Sequence, residues 1–151
     1  MKVVSHERIP AAPVQMEGAA GCTVRWLIGK PDDAPNFAMR QFEVAPGGHT
    51  PEHFHPYEHE VFILEGEGII LEGAIQHRMY AGDIIYVAPN EVHQFQNSGS
   101  QPLKFLCLVP NSSYSLPVTM ASECGEPASM CGSSPQGAAS NGASAEGTCS
   151  G

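Results

Sequence analysis

Three histidines stand within seven residues of this chain, in the stretch HFHPYEH. Side chains two residues apart on a β-strand point to the same face, so His53 and His55 project together and could share one ion. His59 keeps the same parity after a short break at Pro56, which cannot continue a sheet ladder. His93 follows a turn and leads into another strand, and paired hairpins could bring it opposite the other three. The pattern predicts a metal site of four imidazoles.

Such a site has a definite chemistry. Four neutral histidines leave the charge of a divalent ion uncompensated by the protein, which makes the ion a stronger Lewis acid and lowers the pKa of bound water. An octahedral ion would keep two adjacent positions open for water, a substrate or O₂. Imidazole suits Mn, Fe, Co, Ni, Cu and Zn alike, so the ligand types do not identify the metal. We expect one divalent transition metal ion per chain.

Other side chains are predicted to line a pocket beside the metal. The strand FAMRQFEV places Arg40 on the same face as Phe42 and Val44. If that face turns inward, the guanidinium could hold a carboxylate or oxyanion; equally, it could pair with a buried acid or swing out at the strand's edge. Cys107 could be a redox-active group or a small buried filler residue. Arg40 and Cys107 are the candidate catalytic residues, and the predicted substrate pocket comprises Arg40, Phe95, Phe105, Cys107 and Val109.

The remaining histidines, His6, His49 and His77, stand alone in polar or turn contexts, and we expect them to be solvated. Tyr57 and Tyr86 could reach the mouth of the pocket, although nothing in their spacing requires it. No nucleophile–base pair, phosphate loop or dinucleotide glycine pattern stands out in the sequence. The histidine cluster is therefore the feature on which a functional interpretation depends.

The elements that must position these side chains are short strands. Segments rich in Val, Ile, Phe and Tyr recur at a spacing of about 8 to 12 residues, bounded by Gly, Pro or Asn, and helix signals are nearly absent. This favours an antiparallel sandwich or small barrel and excludes a βαβ fold, which needs helical patterns between its strands. The predicted strands are 23–28, 37–44, 59–64, 68–71, 83–87, 93–97 and 104–108, with turns at APGGH, EGEG, AGD, APNE and NSGSQP between them.

Several of these strands, such as EVFILEG and KFLCLV, are apolar on both faces. One face of such a strand lines the barrel, and the other must also be covered, by a second sheet or by a partner subunit. The sequence therefore predicts a homodimer.

Composition restricts the partners and the location. The chain has 151 residues, enough for one domain, with 7 Lys and Arg against 16 Asp and Glu and a formal net charge of −9. Nucleic acids and anionic membranes both need a basic face, so neither is an expected partner. No apolar run approaches the 18 or so residues of a membrane helix, and the N-terminus shows no signal-peptide core. We expect a small-molecule ligand and a cytoplasmic location.

A change of composition divides the chain near Asn111. From residue 112 to 151 it is mostly Ser, Gly, Ala and Pro, without Lys or Arg, and cannot offset its ordering entropy. We therefore expect a folded domain at 1–111 and a disordered tail at 112–151. Cys22 and Cys107 lie in apolar surroundings and should be buried thiols. The tail holds Cys124, Cys131 and Cys149, and no CxxC pair supports a zinc-ribbon or thioredoxin-type site.

Two stretches resemble the paired motifs of the cupin superfamily. The first, GGHTPEHFHPYEHEVFILEG at 47–66, follows the pattern G, five residues, HxH, three or four residues, E, six residues, G. The second, GDIIYVAPNEVHQFQN, spans 82–97, and the likeness covers about residues 20–110. The resemblance implies an all-β double-stranded β-helix, a jelly-roll barrel, of the small single-domain type. The matching positions are Gly47, His53, His55 and Gly66, then Gly82, Pro89, His93 and Asn97.

The chain departs from the family's pattern at the glutamate of the first motif. Counting back six residues from Gly66 leads to His59, and strand parity would point Glu60 away from His53. His59 thus takes the place of the usual carboxylate, so the chain resembles cupins with an all-histidine site. The alternative is Glu60 as the ligand through a local bulge. A smaller departure is Glu91, where a glycine often stands.

Two hypotheses about function follow. The resemblance points to manganese or iron, with copper, nickel and zinc open, and to a dioxygenase-type oxidoreductase acting on a small organic molecule. With zinc, the enzyme could act only as a Lewis acid, as in isomerisation or hydrolysis. The other hypothesis is a small-molecule or metal-binding module without turnover, because fold alone does not give function. The lack of an obvious general base favours this second hypothesis.

Overall fold

The computed structural model describes residues 1–121, and the strands in that range pair antiparallel. Among these residues the helical segments are 3₁₀ turns at His6–Arg8, Lys30–Asp32 and Asn111–Tyr114, none of which is long and apolar enough to span a membrane. The predicted all-β double-stranded β-helix is confirmed. Its strands are β1 (Ala12–Pro13), β2 (Ala20–Ile28), β3 (Phe37–His49), β4 (His53–Phe54), β5 (His59–Glu65), β6 (Glu67–Glu72), β7 (Ile75–Tyr80), β8 (Ile84–Val87), β9 (His93–Asn97), β10 (Leu103–Pro110) and β11 (Thr119–Met120).

Two walls of strands face each other across the interior. One wall pairs β2, β3, β10, β5 and β8 in that order, and the other pairs β4, β9, β6 and β7. The long strand β3 joins them, because its first part pairs with β2 and β10 while its last residue, His49, lies opposite Gln96 of β9. Phe95 of one wall stacks on Phe105 of the other with ring centroids 4.7 Å apart, so both inner faces meet in one core.

The stretch APGGH, predicted as a turn, is instead the end of β3. Gly47 has a φ of 73°, which favours glycine, and a Cβ at Gly48 would lie 2.6 Å from the carbonyl oxygen of Ala20. The two glycines therefore let the strand bend against β2 without ending. This bend carries the chain from one wall to the other.

Strand β7 was not predicted from the sequence. Its residues, IQHRMY, show no clean alternation, and only Met79 is buried. β7 pairs with a single neighbour, β6, through a hairpin at Gly73, whose φ of 55° suits a tight turn. The two-residue strands β1, β4 and β11 were also not predicted, because such short segments carry no periodic signal.

The described fold continues past the boundary predicted at residue 111. After the 3₁₀ turn, Tyr114 stacks on Trp26 with ring centroids 5.5 Å apart, and β11 pairs with β4. Residues 112–121 therefore belong to the folded unit, contrary to the expected disorder, because aromatic stacking and a short ladder hold them. The rest of the predicted tail, 122–151, lies outside the described residues, together with Cys124, Cys131 and Cys149.

The core fills the end of the barrel next to the histidines. Phe105, 1% exposed, stacks between Phe42 and Phe95, with centroid distances of 5.2 and 4.7 Å. Cys22 and Cys107 are buried free thiols, as predicted. Burial raises the pKa of the Cys22 thiol to about 11, so it is uncharged at neutral pH.

Candidate metal centre

The structure brings the four predicted histidines together. His53 on β4 lies directly opposite His93 on β9, His55 follows β4, and His59 begins β5. One ring nitrogen from each of the four lies within 4.8 Å of those of the others, so the cluster could hold a metal ion. His55, His59 and His93 are buried and His53 is half-buried. His53 and His93 thus project from one wall and His59 from the facing wall, and the four rings meet in the interior between them.

Hydrogen bonds orient three of the four rings in the same way. The Nδ1 atoms of His53, His55 and His93 each contact a backbone carbonyl oxygen, which can only accept a hydrogen bond. Nδ1 must therefore carry the proton, and Nε2 is left with a free lone pair, as a metal ligand requires. The acceptors belong to Pro51, Tyr57 and Glu91, at 2.9, 2.7 and 2.9 Å respectively.

Unsatisfied polar atoms show what the centre of the cluster needs. The Nε2 of His93 is buried without a hydrogen-bond partner among the described residues. The Nε2 atoms of His55 and His59 are 2.8 Å apart, a contact that requires a proton or a cation between two lone pairs. Buried polar groups are costly when unpaired. A divalent ion would satisfy all four Nε2 atoms together, so the donor set fits the metal expected from the sequence.

The imidazoles are held neutral by their surroundings. Burial lowers the pKa of His55 to about 4 and that of His93 to about 3. Burial is also the main reason why the pKa values of His53 and His59 are lowered, and the charge of Arg40 adds to the effect. Neutral imidazole is the form that binds metals, so at neutral pH no proton competes for these nitrogens.

Glu60, the alternative ligand, lies on the other face of β5. His59, Val61 and Ile63 are buried along this strand, while Glu60 is exposed. No bulge is present between His59 and Phe62, which pair in register with β8. The carboxylate therefore points away from the cluster, and His59 occupies its place.

Arg40 and Cys107 lie opposite each other on β3 and β10, and the Nη2 of Arg40 donates a hydrogen bond to Cys107 Sγ at 3.0 Å. The guanidinium carbon also lies 5.1 Å from the Phe42 ring centroid and 5.5 Å from that of Trp26. Its buried Nε has no partner, and Arg40 makes no ion pair with an acid of the described residues. Burial raises the pKa of Cys107, although Arg40 opposes the shift. The structure thus leaves a cation near the cluster without an anion.

The predicted pocket residues Phe95, Phe105 and Val109 are packed inside the core, at most 3% exposed. A cavity of about 600 Å³ reaches His93 from another direction, between the edge strand β8 and the hairpin β6–β7. Sequence reasoning missed this cavity because it missed β7, which forms one of its sides. One signal was available: once β7 is recognised as a strand, His77 and Met79 lie on the same face of it, and both line the cavity.

The three remaining histidines differ from one another. His6 is exposed in the first 3₁₀ turn. His49, expected to be solvated, is half-buried and its Nδ1 lies 3.1 Å from the carbonyl oxygen of Thr50, because the extension of β3 draws it into the sheet. His77 is half-exposed but does not stand alone, since its Nε2 lies 2.8 Å from Glu72 Oε2. The expectation of solvation was therefore wrong for His49.

Known proteins share this sequence pattern and this fold. The family model for the cupin domain matches residues 40–109. The oxalate-binding protein of Thermotoga maritima is 30% identical over 114 residues, 72% of this chain and 93% of that protein. The 1-methylthio-D-xylulose 5-phosphate methylsulfurylase of Rhodospirillum rubrum is 35% identical over 71 residues, but the matched part is 46% of its length.

A solved structure agrees with these matches. The polyketide cyclase RemF of Streptomyces resistomycificus superposes with a TM-score of 0.74 at 34% identity, covering 80% of this chain and 85% of that one. The strand order, the paired motifs and the convergent histidines are thus accompanied by similarity over most of a relative's length. The chain belongs to the cupin family.

Proposed function

We propose that this protein is a metal-dependent cupin enzyme acting on a small organic molecule that binds the metal through its oxygen atoms. The observation that carries the proposal is the convergence of four neutral imidazoles whose ligand nitrogens lie within 4.8 Å of one another. His53, His55, His59 and His93 would bind the ion. Bound there, the ion would supply Lewis acidity and, if it is manganese, iron or copper, redox chemistry with O₂.

The chain's own residues would then orient the substrate. Within residues 1–121, Arg40 has a buried, unpartnered Nε and no acidic partner, so we propose that it holds an anionic group of the substrate. Cys107 would keep the guanidinium in place through its 3.0 Å contact, in addition to its predicted catalytic role. Phe95, Phe105 and Val109 would form the apolar support behind this group.

The metal decides between two reaction types. A dioxygenase-type reaction needs manganese, iron or copper, whereas zinc would support isomerisation, hydrolysis or another non-redox step. The relatives carry names from different chemistries, a polyketide cyclase and a methylsulfurylase among them. We propose the oxygen-using reaction on the resemblance of the four-histidine site, and the metal content is the test of it.

A binding module without turnover is the second candidate. One observation favours it: among the described residues, the cluster contains four imidazoles and no carboxylate that could serve as a general base. The relative named an oxalate-binding protein shows that a cupin can be known for binding rather than for catalysis. In this case Arg40 and the metal would hold a ligand that leaves unchanged.

Elemental mass spectrometry of the full chain, purified without a histidine tag, tests the proposal. We expect about one equivalent of manganese, iron or copper per chain, and oxygen consumption by the loaded protein with chelating hydroxy- and keto-acids. Zinc as the bound metal would contradict the oxygenase reaction but not the metal site. Absence of metal even after reconstitution would contradict the enzyme proposal altogether. A loaded protein that binds these acids without converting any would favour the binding module.

We also propose that the chain forms a homodimer through the outer face of β5 and β8. Phe62, Ile84 and Tyr86 are 44, 81 and 65% exposed there. They lie on the neighbouring strands β5 and β8, and β8 forms the edge of its wall. Contiguous exposed apolar side chains of this size mark an interaction surface. We expect light scattering of the full chain to give twice the monomer mass, and Ile84→Arg to give the monomer. A monomeric wild-type protein at micromolar concentration would contradict the proposal.

A further inference from the structure

The cavity that reaches His93 contains a second group of polar side chains. It measures about 600 Å³ and is lined by residues of β6, β7 and β8, together with Glu91 and His93. Glu72 and His77 lie in the same lining, with the 2.8 Å contact between His77 Nε2 and Glu72 Oε2. His93 of the histidine cluster and this Glu72–His77 pair therefore line one space, of a size that suits a small organic ligand.

Strand register places the pair on the inner face of its wall. Glu72 lies directly opposite His93, and Ile70, two residues before it, lies opposite His77. Residues two apart on a strand share a face, so Glu72, Ile70, His77 and His93 lie on the inner-face side of their strands. The side chains of Glu72 and His77, 47 and 53% exposed, lie at the solvent-accessible end of this face. His77 on β7 and His93 on β9 are separated by the strand β6 and are offset by two residues along it. Strand spacing and rise therefore put their Cα atoms about 12 Å apart. A molecule of one or two rings spans this distance once the two side chains reach inward.

The pair has a defined hydrogen-bonding character. The carboxylate of Glu72 can only accept, so His77 Nε2 donates to it and orients it. The hydrogen bond with His77 lowers the pKa of Glu72, which stays ionised at neutral pH. This end of the cavity therefore offers the acceptor oxygens and negative charge of Glu72, and Arg78 also lines the cavity. A hydroxyl group of a ligand is the natural donor to such a group.

Four apolar side chains line the cavity between the two ends, while Arg78 and Asp83 are also part of its lining. Ile70, Met79, Ile85 and Val87 line the cavity between His93 and the hairpin. Apolar walls with a few placed polar groups bind the hydrocarbon body of a ligand and fix its orientation through its polar ends. The arrangement thus has a chelating end, an apolar middle and an acceptor end.

We propose that the Glu72–His77 pair is the distal recognition site of the substrate cavity, and that the substrate is a small, mostly apolar molecule with chelating oxygens at one end and a hydroxyl donor at the other. This inference rests on the proposed metal-dependent function, because the chelating end needs the ion. It assigns a role in specificity to two residues outside the histidine cluster.

Two hydroxypyranones test the inference on the zinc-loaded full chain. Kojic acid chelates through its ring hydroxyl and keto oxygens and carries a hydroxymethyl group across the ring, where allomaltol carries a methyl group. Calorimetry gives the dissociation constant of each. We expect the wild-type protein to bind kojic acid about fivefold more tightly than allomaltol, the effect of one hydrogen bond. In His77→Leu the two affinities should become equal.

A neighbouring residue provides the control. Gln76 precedes His77 on β7 and points to the outer face, so Gln76→Leu should retain the fivefold preference. A preference that is absent in the wild type, or that persists in His77→Leu, would overturn the inference. So would zinc-loaded protein that binds neither compound. Failure of the wild-type chain to bind zinc or any other metal would instead overturn the proposed function. A separate measurement of metal content detects this outcome.

Discussion

Replacing His59 by alanine is expected to remove the bound metal, whereas replacing the adjacent Glu60 by glutamine should leave the metal content unchanged. His59 supplies one of four convergent ring nitrogens, and its Nε2 lies 2.8 Å from that of His55. Mutation of a residue that only supports a metal ligand typically weakens metal binding by about 10- to 100-fold. Loss of a ligand itself should cost more, so we expect a loss of metal affinity of more than about 100-fold. Elemental mass spectrometry should show about one equivalent of metal per chain in the wild type and less than about a tenth of an equivalent in His59→Ala.

The two variants form a matched pair on one strand. His59 is 5% exposed and faces the cluster, while Glu60 is exposed on the opposite face of β5. In the metal-free protein, His59→Ala removes a ring whose buried Nδ1 has no partner within residues 1–121, so the fold should persist and circular dichroism can verify it. Metal retained in His59→Ala but lost in Glu60→Gln would mean that the strand register is shifted by one residue at the site.

The histidine cluster could be predicted from the sequence because most of it depends on local rules. His53 and His55 share a face through the period of a strand, and Pro56 allows the break before His59. His93 was less certain, since its position opposite His53 depends on the pairing of β4 with β9, which are far apart in the chain. Paired hairpins were expected to bring His93 opposite the other histidines, and the structure places it opposite His53.

The cavity could not be predicted in the same way. Its existence depends on β7, where Met79 is the only buried residue, so no alternation of polar and apolar side chains reveals the strand. The extension of β3 through Gly47 and Gly48 was missed for a related reason. Glycines normally signal a turn, and only the close approach of β2 explains why they occur inside a strand here. Both features depend on long-range contacts and not on local sequence preference.

Residues 112–121 illustrate the same limit at the end of the domain. Their composition favours disorder, yet Tyr114 stacks on Trp26 and Met120 pairs with His53. The second contact places β11 beside the strand that carries the half-buried His53. A composition change therefore located the boundary only approximately.

Replacing Phe105 by alanine is expected to lower the free energy of unfolding by about 3 to 5 kcal/mol. Phe105 is 1% exposed and stacks between Phe42 and Phe95, so its removal leaves a cavity where the two walls of the barrel meet. Urea unfolding of the metal-free full chain measures the change. Metal must be absent, because a bound ion stabilises the folded state by mass action, and any change in metal affinity in the variant would add to the measured difference.

Leu106 is the control for this measurement, since it is the next residue on β10 and lies half-buried on the outer face. Leu106→Ala removes less buried surface and leaves no enclosed cavity, so its cost should stay below about 2 kcal/mol. Equal losses of unfolding free energy in the two variants would mean that the outer face is as well packed as the interior. A dimer interface that covers Leu106 would have this effect. Repeating the comparison with the monomeric Ile84→Arg protein separates these cases: the cost of Leu106→Ala should then fall, while that of Phe105→Ala should not, because Phe105 is buried by its own chain.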